Sequence, residues 1–144
     1  MEKTPLITVK DLHVSFGQGA AVARSLRGID LSFYKEEIHG LVGESCSGKT
    51  VTSTAIMGLL PVPPARIEKG EILYKGKDIL LLTEQERRDI RGKELAMVFQ
   101  EPGKYLNPAY KIGEQITEML ILHLKMTKEQ AREKALELLN IVGL

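Results

Sequence analysis

The chain predicts an α/β fold organised around one strand–loop–helix unit, and three observations predict it. First, the apolar run Ile38-His39-Gly40-Leu41-Val42 leads into Gly43-Glu44-Ser45-Cys46-Ser47-Gly48-Lys49-Thr50, and apolar residues at helical spacing follow (Val51, Ala55, Ile56, Leu59). Second, the segments ahead of this unit are rich in β-branched residues and alternate apolar with polar, which suits half-exposed strands. Third, after Gln100 the apolar spacing is purely helical.

Gly, four residues, then Gly-Lys-Thr is the pattern of a phosphate-cradling loop, and each part has a physical task. Glycines let the backbone curl tightly and approach an anion. The curled amides point inward, and the following helix adds its positive N-terminal end. Lys49 supplies a point charge for the outer phosphates, and Thr50 a hydroxyl for the magnesium that accompanies a nucleoside triphosphate. The string by itself occurs by chance as a glycine-rich surface turn. Its context, a buried parallel strand over 38–42 and a helix from Lys49 to about Leu60, argues against that.

The remaining elements follow in order. Residues 6–16 read as a strand, Gly17-Gln18-Gly19 as a turn, and residues 26–34 as a second strand antiparallel to the first. Pro61-Val62-Pro63-Pro64 is a stiff connector. Glu71-Ile72-Leu73-Tyr74 is a strand entering a turn at Lys75-Gly76-Lys77. Thr83 with Glu86 forms a capping box that opens a helix, and Leu95–Phe99 reads as another buried strand. Gly103 to Pro108 is a loop. Ile112, Ile116, Met119, Leu120 and Leu124 mark a helix, and Thr127 with Gln130 is a second capping box. That last helix carries Ala131, Ala135, Leu138 and Leu139 on one face and stops at Gly143. The domain boundary falls near Gln100: residues 1–99 mixed α/β, residues 100–144 helical.

Composition excludes several classes. Lys+Arg total 20 against 19 Asp+Glu, a net charge of +1, so there is no electrostatic footprint for nucleic acid. Hydrophobic residues at 43% and charged residues at 27% fit a globular chain rather than a disordered one. A single cysteine, Cys46, rules out an internal disulfide and suits a reducing compartment. Prolines interrupt the longest uncharged stretch, 51–65, so no membrane span is expected. Met-Glu-Lys-Thr-Pro has no apolar core behind it and does not read as a signal peptide.

Three stretches together resemble the ATP-binding subunits of ABC transporters, in the dipeptide and oligopeptide importer branch. They are Leu41-Val-Gly-Glu-Ser-Cys-Ser-Gly-Lys-Thr50, Ile90-Arg-Gly-Lys-Glu-Leu-Ala-Met-Val-Phe-Gln-Glu-Pro102, and Leu106-Asn-Pro108 with Ile112-Gly-Glu-Gln-Ile116. The last two are more discriminating than the loop. The resemblance implies the N-terminal half of a P-loop NTPase (RecA-like) core, with an antiparallel β subdomain and the start of an α-helical subdomain. It implies ATP and Mg²⁺ as cofactors. It implies that Phe16 stacks on adenine, that Gly43, Glu44, Ser45, Cys46, Ser47, Gly48, Lys49, Thr50 and Val51 hold the nucleotide, and that Thr50 and Gln100 serve the metal. Lys49 and Gln100 are the implied catalytic residues, Gln100 reaching magnesium and the attacking water through a hard neutral oxygen. The implied partners are transmembrane permease subunits, met by residues after Gln100, a second ATP-binding subunit and, indirectly, an extracytoplasmic solute-binding protein. The implied location is the cytoplasmic face of the cell membrane.

The chain departs from that family at three points. Cys46 stands where the loop usually has glycine; a left-handed backbone there would cost about 1–2 kcal/mol. Its thiol, beside Lys49 and a helix start, reads either as a reactive group that bound nucleotide shields or as a small inert residue. Glu36-Glu37 replaces a Gly-Glu turn. No Leu-Ser-Gly-Gly-Gln signature, acid-terminated strand or switch histidine follows Gln100. His13, His39 and His123 are therefore expected to be surface or packing residues. The 144 residues are expected to be the N-terminal part of the family's domain, inactive as a hydrolase and prone to aggregate through exposed sheet edges. A non-hydrolytic nucleotide-binding fragment and another phosphate-loop enzyme such as a kinase are the competing readings.

Overall fold

A computed structural model describes residues 4–144; the opening Met-Glu-Lys of the segment read as no signal peptide lies outside them. The elements run β1 (Ile7–Phe16), β2 (Ala23–Phe33), α1 (Lys49–Ile56), β3 (Ala65–Tyr74), β4 (Lys77–Asp78), α2 (Glu84–Ile90), α3 (Ile112–Leu124) and α4 (Lys128–Ile141). Contacts divide the chain into two compact units, Met1–Arg88 and Asp89–Leu144.

The first unit is an antiparallel sheet of order β2-β1-β3-β4 with α1 against β2. β1 pairs antiparallel with β2 from Ile7↔Phe33 to Phe16↔Ala23, as alternation predicts. It pairs on its other edge with β3 from Ile7↔Tyr74 to Phe16↔Ala65, so β3 begins six residues before the predicted Glu71. Val9, Leu12, Val14, Leu26, Ala65 and Ile72 form its core, all nearly or fully buried. β1 bulges at Asp11, whose φ is 45°. Side chains pin the bulge: the Asp11 carboxylate accepts from Lys69 Nζ at 2.5 Å and pairs with His13 Nε2 at 2.8 Å, and the Asp11 amide donates to Asp30 Oδ1 at 3.0 Å.

Two predicted strands do not form. Residues 38–42 are irregular, with Ile38 and Val42 almost wholly exposed at 104% and 94%. Residues 95–99 carry only an isolated parallel bridge, Arg91↔Leu95, and Val98 is exposed. Both runs have the composition of buried parallel strands, yet such a strand needs hydrogen-bonding neighbours on its edges. Among the described residues no strand lies beside either. α1 is also shorter than expected: it ends at Ile56, and a turn follows in which Gly58 has φ 61° and Leu59 N–H donates to Thr54 O.

The second unit packs α3 against α4, burying Ala131 and Ala135. Local chemistry sets its helix ends. Thr127 Oγ1 accepts from Gln130 N–H at 3.3 Å, and Gln130 Oε1 accepts from Thr127 N–H at 3.0 Å, the predicted capping box. Gly143 follows α4 with φ 82°. The box ahead of α2 forms in the first unit, with Glu86 Oε2 accepting from Thr83 N–H at 2.8 Å and from its hydroxyl at 2.7 Å. Those bonds hold the Glu86 carboxyl below its ordinary range.

Candidate functional site: a phosphate-cradling loop

The loop between residue 43 and α1 curls around the side chain of Lys49. Its Nζ donates to the carbonyl oxygens of Gly43 and Glu44, each at 2.7 Å, and to Ser47 Oγ at 3.3 Å. Ser47 N–H bonds Glu44 O at 3.3 Å and closes the turn. The ammonium is thus held by groups two to six residues earlier in the loop.

Gly48 is sterically required, and Gly43 is crowded by a side chain that can turn away. A Cβ on Gly43 would lie 2.5 Å from Ser47 Oγ. Gly48 is the N-cap of α1 with φ 96°, and a Cβ there would lie 2.6 Å from Leu26 Cδ2 and 3.1 Å from Ser25 O. The second glycine therefore sits on the β2 backbone as well as adopting a left-handed turn. Cys46 is left-handed too, with φ 63°, and its side chain is exposed.

α1 begins at Lys49, and no side chain caps it. The amides of its first turn, those of Lys49, Thr50 and Val51, have no intrahelical acceptor, which is the arrangement that suits an anion. Lower down, Thr52, Ser53 and Thr54 return their hydroxyls to the carbonyls of Gly48, Lys49 and Thr50. Thr50 differs: its hydroxyl is bonded to nothing among the described residues, and the residue is exposed. It fits a metal ligand, while the loop's curled backbone and Lys49 fit a polyphosphate.

Phe16 ends β1 between Ala23 and Ala65, two small cross-strand neighbours. The β2 stretch that begins at Ala23 continues to Ser25 and Leu26, which Gly48 abuts, so Phe16 and the loop attach to the same few residues of β2. Sequence reasoning read Leu26 only as an apolar strand position; its role in seating Gly48 has no local signature. Glu44 and Ser45 lie exposed in the curl. Gln100 belongs to the second unit, where it is exposed and its amide is bonded to nothing among the described residues. Of the histidines, His39 stands edge-on to Phe33 at 4.8 Å, and His13 forms a polar pair with Asp11.

The loop thus cages a lysine, opens a helix and leans on an antiparallel strand, a shape suited to cradling a phosphate. The chain belongs to the ABC transporter family, whose model matches residues 26–144. It is 48% identical over 141 residues to the oligopeptide transport ATP-binding protein OppD of Bacillus subtilis, covering 98% of this chain and 39% of that one. It is 44% identical over 144 residues to the dipeptide transport ATP-binding protein DppD of the same organism, covering 100% of this chain and 42% of the relative. The chain thus spans about two fifths of the length of these relatives. Two solved structures share the fold at a TM-score of 0.80 over 96% of this chain and 57% of theirs. They are the ATP-binding cassette MJ0796 as a post-hydrolysis dimer bound to ADP and Pi, 24% identical, and the same cassette as a dimer, 25% identical.

Proposed function

We propose that this chain is the N-terminal part of the ATP-binding subunit of an ABC importer for peptides or similar small solutes. In that subunit ATP binding and hydrolysis drive uptake through transmembrane permease subunits. The observation that carries the reading is the Lys49 cage: an ammonium bonded to Gly43 O, Glu44 O and Ser47 Oγ at the start of an uncapped helix. The names of the relatives, oligopeptide and dipeptide transport ATP-binding proteins, support it.

In this reading Gly43 to Val51 hold the phosphates of ATP, Lys49 neutralises the outer ones, and Thr50 ligates Mg²⁺. The metal, when bound, withdraws charge from the phosphate oxygens. Phe16 offers a flat ring to the adenine, and Gln100 supplies an amide oxygen toward the metal and the attacking water. Residues after Gln100 meet the permease subunits, and a second ATP-binding subunit completes the assembly at the cytoplasmic face of the membrane, where an extracytoplasmic solute-binding protein delivers cargo from the other side. No described helix is long and apolar enough to cross a membrane. Phosphoryl transfer also needs a positioned nucleophile, and no apolar run ending in acidic residues follows Gln100 within these residues. The 144 residues alone therefore hold nucleotide without turning it over.

Calorimetric titration with Mg·ATP tests the reading on the wild-type chain and on Lys49→Ala. Binding that weakens at least about ten-fold in the variant, with an unchanged melting curve, supports it; that factor corresponds to one charge-assisted contact of about 1.4 kcal/mol. Equal affinities would remove Lys49 from the site and the reading with it.

A further inference from the structure

Phe99 and Tyr105 lie face to face, ring centroids 4.2 Å apart and planes 19° from parallel. Between them the chain makes a closed turn. Glu101 is left-handed at φ 57°, a one-turn 3-10 helix spans Pro102–Tyr105, Lys104 N–H donates to Glu101 O at 3.0 Å, and the Lys104 ammonium pairs with the Glu101 carboxylate. Gln100 is the first residue inside that turn. The ring stack closes its base, as an offset aromatic pair does across a hairpin.

Tyr105 also leads somewhere. Two residues on, Asn107 is clamped to α3: its N–H donates to Gln115 Oε1 at 3.0 Å, and Gln115 Nε2 donates to the carbonyls of Asn107 at 3.0 Å and Tyr110 at 3.1 Å. A continuous physical link therefore runs from the Gln115 amide on α3, through Asn107 and Leu106, to the Tyr105 ring, across the stack to Phe99, and by one peptide bond to Gln100. Tyr105 is 62% exposed, so burial does not account for its place; its visible contact is Phe99.

We propose that Tyr105 is a positioning residue that, by stacking on Phe99, ties the backbone of Gln100 to helix α3 through the Gln115 clamp. A displacement of α3 reaches Gln100 while the rings are stacked and is lost when they part. The functional importance of this link rests on Gln100 serving the nucleotide; the link itself is a property of the second unit alone.

Nuclear magnetic resonance on the whole 144-residue chain tests it. Gln115→Ala releases the clamp and is expected to shift the backbone and side-chain amide resonances of Gln100. In a Tyr105→Ala background that shift should fall to about a fifth or less, on the order of the equilibrium weight of one aromatic pair. In Tyr105→Phe, which keeps the ring, it should persist. Melting temperatures of the three variants check that the chain remains folded. If Gln115→Ala moves Gln100 equally with Tyr105 present or replaced by alanine, or does not move it at all, the proposal is overturned. Should Tyr105→Ala fail to fold, loss of the transmitted shift in Tyr105→Phe overturns it and retention supports it. Titrating the same samples with Mg·ATP reports on nucleotide binding separately, so failure of the functional reading would leave the shift comparison intact.

Discussion

The Cβ position of Gly48 lies 2.6 Å from Cδ2 of Leu26, so the phosphate-cradling loop is seated directly on strand β2. Gly48→Ala meets two obstacles, a left-handed φ of 96° and this collision. The expected loss is about 2 kcal/mol of unfolding free energy, most of it backbone strain. Chemical denaturation of Gly48→Ala and of Gly48→Ala/Leu26→Ala measures the division. The double variant should be less destabilised than the sum of the singles, and strict additivity would show that Leu26 does not support the loop.

Cys46 presents the opposite case, a side chain where the backbone favours glycine. At φ 63° the strain is about 1–2 kcal/mol, whereas glycine would add about 0.5–1 kcal/mol of unfolded-chain entropy. Relief of strain outweighs that entropy, so Cys46→Gly should raise stability by about 0.5–1 kcal/mol. The thiol is exposed and should react with a maleimide. Mg·ATP should slow that reaction by covering the curl; identical rates with and without nucleotide would remove Cys46 from the nucleotide-binding set.

The bulge at Asp11 predicts a pH dependence. The hydrogen bond from Lys69, and then that from His13, hold the Asp11 carboxyl below its ordinary 3.8, and Asp11 in turn raises Lys69 above 10.5. A depressed carboxylate contributes stability above its unfolded value and loses it as pH falls through the folded one. A raised ammonium contributes below its unfolded value and loses it as pH climbs through the folded one. The pair should therefore support the sheet throughout the neutral range and fade on the acid side below 3.8 and on the alkaline side above 10.5. Both groups are exposed, so the amplitude is small. Asp11→Asn should flatten the acid limb of a plot of denaturation midpoint against pH; an unchanged limb would show that the ion pair contributes nothing.

Helix α4 depends on its cap. Thr127→Ala removes the acceptor for Gln130 N–H and should cost about 1 kcal/mol, while Thr127→Ser should be nearly neutral. Thermal melts of the two variants decide it, and equal melting points would show that the cap is dispensable.

The elements legible in the residues are those set by near neighbours. The capping boxes of α2 and α4 formed as read, because Thr83 with Glu86 and Thr127 with Gln130 need only a three-residue spacing. Alternation over β1 and β2 was enough for their antiparallel pairing, in which β1 buries Val9, Leu12 and Val14 and β2 buries Leu26. The runs 38–42 and 95–99 misled, because their apolar character records a need for flanking strands rather than a local preference.

Chain order alone was sufficient for the glycine–lysine–threonine spacing and the helix starts, which depend on hydrogen bonds and capping within a few residues, whereas the left-handed backbone at Asp11 and Glu101 was not legible there. Folding in three dimensions decided why Gly48 must lack a Cβ and which strands flank Phe16. These depend on surfaces from distant or non-adjacent residues meeting at van der Waals range, a condition that no stretch of neighbours expresses alone.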